Sequence, residues 1–136
     1  MAADTTSQTV LITGASRGIG RALARRYAAR GSRVIAAVRD PATAELPEGI
    51  GLHPLDVQSG ASHDALAATL DLAGLDLLIC NAGIYRGRGT VATERIADAD
   101  WQATLMTNVA GPYLSVSAFR TPLEAAGGRV AVLSSM

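Results

Sequence analysis

Short apolar runs alternate with longer stretches of helical periodicity along this chain. Thr9–Thr13, "TVLIT", is apolar and rich in β-branched side chains, which predicts a strand. From Gly18 to Arg30 the spacing predicts a helix, with Ile19, Leu23 and Tyr27 on one face and Arg21, Arg25 and Arg26 mostly away from it. Gly31 stands where a helix C-terminal glycine is expected. Arg33–Val38, "RVIAAV", predicts a second strand and Gly51–Leu55 a weaker third. Ser59–Leu72 reads as a helix and Asp76–Cys80 as a fourth strand. A glycine-rich loop follows from Asn81 to about Ala97, then a long helix from about Asp98 to Ala125, then a fifth strand over Gly128–Ser135.

The strands are continuous apolar runs, which are buried on both faces and therefore parallel strands covered by helices. Repeated strand–helix units make the fold class α/β: a Rossmann-type doubly wound parallel sheet, strand order 3-2-1-4-5, helices on both faces. Ligands of such sheets sit beyond the C-terminal ends of the strands. Candidate chemistry is therefore sought at the ends of the first, second, fourth and fifth strands.

Composition narrows the function classes. The chain has 136 residues and 49% apolar content, enough for one domain, residues 1–136, with a real core. Net charge is zero and no basic block stands out, which argues against a nucleic-acid partner. All twelve basic residues are arginine. Cys80 is the single cysteine, so no intrachain disulfide forms and a reducing compartment fits. It reads as a small core hydrophobe at an apolar strand end. His53 and His63 lack clustered ligand partners, so no metal is expected. "MAADTTSQ" lacks the basic start and apolar run of a signal peptide, and no stretch approaches the roughly 18 apolar residues of a membrane span. The expectation is a soluble cytoplasmic protein.

After the first strand comes "TGASRGIG", with glycines at Gly14, Gly18 and Gly20. Glycine admits positive φ and close backbone approach, and the helix that opens here directs its free N–H groups at the turn. A strand, a glycine turn and a helix start together point to a bound pyrophosphate. At the end of the second strand, where an acidic residue would hold the ribose diol of NAD, stand Val38 and then Arg39. Arginine there suits a 2′-phosphate, and Arg17 in the glycine turn could reach the same group. The pair favours NADP over NAD. The alternatives are that both arginines are solvated surface charges, or that Asp40 takes the acidic role.

The GxxxGxG spacing, with the strand and helix around it, resembles the short-chain dehydrogenase/reductase family, N-terminal portion. The resemblance implies that the turn residues Gly14, Ser16, Arg17, Gly18, Ile19 and Gly20 hold the cofactor. It places Asp56 near the adenine amino group and Val57 backbone beside it. "NAG", Asn81, Ala82 and Gly83, would join the strand ends and leave room for a ribose. Ser135, or Ser134 if the register slips, would hydrogen-bond a substrate carbonyl. Asn108 would use its backbone carbonyl to hold a water in a proton relay. That last role bears on "TNVAGPYLS", where Pro112 falls inside the long helix. Proline has no N–H, so the carbonyl of Asn108 loses its helical partner, and a kink is expected there.

The resemblance implies hydride transfer between NADPH and a small carbonyl or alcohol substrate, with homo-oligomers formed through helix 98–125. The family's remaining catalytic pair, Tyr-x-x-x-Lys, would follow the serine by about a dozen residues. The sequence contains no lysine and runs to Met136. The expectation is an N-terminal part of a longer reductase, by itself nearly inactive, with the fifth strand an exposed edge. A second reading is a non-catalytic nucleotide-binding or interaction module. A methyltransferase is a third, disfavoured by Arg39.

Overall fold

The five strands lie side by side in one parallel sheet, ordered β3-β2-β1-β4-β5. They are β1 (Thr9–Thr13), β2 (Arg33–Val38), β3 (Gly51–Pro54), β4 (Leu77–Cys80) and β5 (Arg129–Val132). This is a computed structural model, and it describes residues 7–87 and 94–134. The helices are α1 (Gly18–Ala29), α2 (Gly60–Leu70), α3 (Asp98–Leu105), α4 (Gly111–Ala118) and α5 (Arg120–Ala126). The expected fold class and strand order are observed. No helix of the described residues is long and apolar enough to cross a membrane.

Alternation along the buried strands builds two cores from one sheet. Val10, Ile12, Val34, Ala36, Val38 and Ile79 pack on the α1 side with Ala24. Leu11, Ile35, Ala37, Leu78 and Cys80 pack on the other side with Leu66, Phe119 and Leu123 of α2 and its neighbours. Val10, Leu11 and Ile12 have no exposed surface. Each such side chain contributes about 1.5–3 kcal/mol of burial. The two edge strands differ from these: β3 is mostly half-buried, and all four residues of β5 are exposed.

Two expectations are corrected. Ile19 does not face the core: it is 64% exposed. The side chain-free Gly20 seats the first turn of α1, followed by Ala24, and that phase turns Ile19 outward. The long helix is also not one kinked rod. Between α3 and α4 the residues Met106–Ala110 form a π-turn, closed by Gly111 N–H donating to the carbonyl of Met106. Pro112 then sits in the first turn of α4. The extra residue per turn is accommodated just before the missing N–H, so the ladder widens upstream of the proline. A further break falls at Phe119, between α4 and α5.

Candidate functional site

The C-terminal ends of β1, β2, β3 and β4 open into a single cleft of about 860 Å³. Among the predicted cofactor residues, Gly14, Ser16, Arg17, Gly18, Ile19, Arg39, Asp56, Val57, Asn81, Ala82 and Gly83 all line it. Gly20 lies beneath the glycine turn, buried. Asn108 is not in the lining, although its neighbour Thr107 is. Ser135 lies outside the described residues; Ser134, the alternative, follows β5 and is exposed.

The glycine turn is packed from below. Gly14 and Gly18 have φ of +68° and +57°, which only glycine adopts at little cost. A Cβ on Gly14 would come 2.8 Å from Ala82 Cα, and one on Gly20 would overlap the Asn81 amide nitrogen and the carbonyl of Gly14. Asn81 binds this layer together: its Nδ2 donates to the Gly14 carbonyl at 3.0 Å. The Thr13 hydroxyl, almost fully buried, accepts from the backbone N–H groups of both Asn81 (3.1 Å) and Ala82 (3.2 Å). The ends of β1 and β4 are thus one hydrogen-bonded unit.

Charge in the cleft is uneven. The N-cap residue of α1, Arg17, makes no side-chain cap, and the first turn holds no acid. Its N–H groups and helix dipole are available to an anion. Arg17 and Arg39 are exposed on the rim, and the one ion pair among the described residues, Arg120 with Glu124, involves neither. Asp40 lines the same cleft, and its Oδ1 accepts from Ala42 N–H at 3.0 Å, capping the short 3₁₀ turn Pro41–Thr43.

The opposite wall is Asp56–Gln58. The carboxylate of Asp56 accepts from Gln58 N–H at 3.0 Å, and the Gln58 side chain donates to Thr107 Oγ1 at 3.0 Å. Thr107 and Asn108 belong to the π-turn, and each anchors it to a different cleft loop. The Asn108 side chain accepts from Ile84 N–H at 2.9 Å and donates to the Ile84 carbonyl at 2.7 Å. Sequence reasoning missed Thr13, Gln58, Ile84 and Thr107. Each matters through a partner at least 24 positions away, and no local pattern marks such pairs. Cys80 is buried beneath the site, and burial pushes its thiol up to about 11, so it stays protonated and unreactive near neutrality.

Comparison with known proteins matches the arrangement. The family model described as short chain dehydrogenase matches residues 8–136. D-threitol dehydrogenase of Mycolicibacterium smegmatis is 32% identical over 92% of this chain and 51% of its own length. A short-chain dehydrogenase structure from Streptomyces avermitilis superposes with a TM-score of 0.85 at 28% identity, over 96% of this chain and 50% of that one. A metagenomic short-chain oxidoreductase solved in complex with NADP superposes with a TM-score of 0.82 at 31% identity, over 95% of this chain and 62% of that one. The chain spans about half the length of the curated relatives it matches.

Proposed function

The chain belongs to the short-chain dehydrogenase family, and from that premise we propose that residues 1–136 are the NADP-binding part of an oxidoreductase acting on a small carbonyl or alcohol substrate. One observation carries the cofactor assignment: an uncapped helix start and two arginines without carboxylate partners among the described residues share one cleft. The α1 N–H groups would receive the pyrophosphate, Arg17 and Arg39 the 2′-phosphate, and Asp56 with Val57 the adenine. Ala82 and Gly83 leave the space a ribose needs. The NADP complex of the metagenomic relative supports the same choice.

When bound, the dinucleotide supplies the hydride. This chain's residues bind and orient it. The π-turn brings the backbone of Asn108 to the loop after β4, where its carbonyl is proposed to hold a relay water, and Ser135 is proposed to donate to the substrate oxygen. A proton donor is not assigned within the chain. Tyr85 and Tyr113 are 74% and 72% exposed, and the sequence has no lysine to pair with either. By itself the chain is expected to bind NADPH and turn over little. The single cysteine, a buried free thiol, fits a cytoplasmic setting.

Calorimetric titration of NADPH and NADH tests the cofactor assignment. Arg39→Asp is expected to weaken NADPH about tenfold or more, with NADH unaffected or tightened, since a charge-assisted hydrogen bond contributes about 1.5–3 kcal/mol. An unchanged NADPH preference would refute the role of Arg39.

A further inference from the structure

The cleft explains the strand ends but not a run of polar groups buried beneath it. His63, in the first turn of α2, has no exposed surface, and Ser115 of α4 is 1% exposed. His63 Nδ1 lies 2.8 Å from the Ser59 carbonyl oxygen, and Nε2 lies 2.9 Å from Ser115 Oγ. A carbonyl only accepts, so Nδ1 carries the ring proton and donates to it. Nε2 of the neutral ring is then bare and accepts from the Ser115 hydroxyl. One direction of donation runs from Ser115 through His63 to Ser59.

The Ser59 end of this run reaches a cleft loop. Ser59 N–H donates to the Asp56 carbonyl at 3.0 Å, and Asp56 N–H donates to Ser62 Oγ at 3.0 Å. Ser62 N–H in turn donates to Ser59 Oγ at 3.1 Å. The backbone of Asp56 is therefore held by the first turn of α2 and by little else. Nothing in hydrophobic packing requires a histidine at position 63; a leucine would fill a core site between α2 and α4 without polar demands.

We infer that His63 is a positioning residue: held between Ser59 and Ser115 with its proton on Nδ1, it fixes the first turn of α2 against α4 and so sets the Asp56–Gln58 wall of the cleft. The inference rests on reading that wall as the adenosine side of a nucleotide site.

Two measurements test it. Long-range ¹H–¹⁵N spectra of the histidine rings are expected to show the neutral Nδ1–H tautomer for His63, with the Nε2 resonance moved by Ser115→Ala. An Nε2–H tautomer, or a resonance indifferent to Ser115→Ala, overturns the inference without any ligand. Separately, adenosine 2′,5′-bisphosphate and nicotinamide mononucleotide are titrated against folded wild type and variants. Ser115→Ala and His63→Asn, which retains only the Ser59 bond, are each expected to weaken the bisphosphate about fivefold to tenfold, the equivalent of one hydrogen bond. The mononucleotide should change less than about twofold on the same scale. Equal loss for both probes, or no loss in either folded variant, overturns the positioning role. Wild type that fails to bind the bisphosphate overturns the nucleotide reading, and the inference with it.

Discussion

Gly20→Ala adds one methyl group at the point where α1, the glycine turn and the end of β4 meet. The new Cβ would overlap the Asn81 amide nitrogen and the Gly14 carbonyl, and would stand 3.1 Å from Ala15 Cα. Ordinary contact begins near 3.4 Å, and the Gly14 carbonyl is backbone that cannot rotate aside. Overpacking of this kind costs about 1–3 kcal/mol. Displacing the Asn81 amide also breaks its bond to Gly14, worth about 1 kcal/mol. Alanine returns about 1 kcal/mol of helix propensity. The net expectation is a loss of about 1–3 kcal/mol, or a Tm lower by about 4–12 °C for a chain of this length. Gly18→Ala is the control. Its Cβ meets nothing within 4 Å, so only the positive φ opposes it, at about 1–2 kcal/mol, and α1 is not pushed from the sheet. Urea unfolding followed by circular dichroism gives the stability, and NADPH titration gives the consequence for the site. Gly20→Ala is expected to weaken NADPH at least as much per kcal/mol lost as Gly18→Ala, because it moves both walls of the turn. A Gly20→Ala chain as stable as wild type, with unchanged NADPH affinity, would refute the packing argument.

Two further predictions concern the core and the exposed helical face. The raised Cys80 thiol makes the unfolded chain the first to lose its proton, so the stabilisation is complete below the ordinary thiol pKa of 9.0 and fades as pH climbs toward about 11. Between about pH 8 and about pH 10.5 wild type should lose roughly 2 kcal/mol more than Cys80→Ala in urea unfolding, and parallel losses would contradict the assignment. Trp101, Leu105, Val109 and Tyr113 recur every fourth residue and are 51%, 51%, 64% and 72% exposed, which supports a second copy docking on this face. Leu105→Arg with Val109→Arg should convert sedimenting oligomers to monomers, and a wild-type chain already monomeric at high concentration would remove the proposal.

Strand identity was legible because burial on both faces leaves a continuous apolar run, as in "TVLIT" and "RVIAAV". The glycine turn was legible because positive φ and close approach restrict those positions to one residue type. Helix phase was less so: Ile19 carries the right periodicity for the core, yet Gly20, which has no apolar signal, decides which face approaches the sheet. Pro112 signalled an interruption but not its form, since a π-turn and a kink both answer a missing N–H. The cross-loop bonds of Thr13, Gln58 and Thr107 were invisible, because a threonine or glutamine gains its role from a partner that only the fold supplies. His63 illustrates the same limit. Its sequence neighbours offer no ligand set, and the fold gives it Ser115, 52 positions away.

The capping of the helices supports the proposed anion site after β1 over the other strand ends. Ser59 accepts from Ser62 N–H and so caps α2 after β3, and Asp40 caps the 3₁₀ turn after β2. α3 lacks a side-chain cap but carries Asp98 and Asp100 in its first turn, which answer its dipole. α5 also lacks both, but it follows α4 across the single residue Phe119; among the described helices that follow a strand or a loop, α1 alone has neither a side-chain cap nor an acid in its first turn. An exposed N-terminus can be satisfied by water, so this alone would select nothing. Here the uncapped start lies over a turn whose glycines Gly14 and Gly18 leave backbone open to the approach, with Arg17 on the turn and Arg39 also lining the cleft. Asp56 faces the cleft from the wall beyond, its own backbone held by α2. A ligand that is anionic at one end and presents hydrogen-bond donors at the other is oriented by that separation of charge. A dinucleotide phosphate, with its pyrophosphate and 2′-phosphate toward the arginines and its adenine amino group toward Asp56, has that polarity.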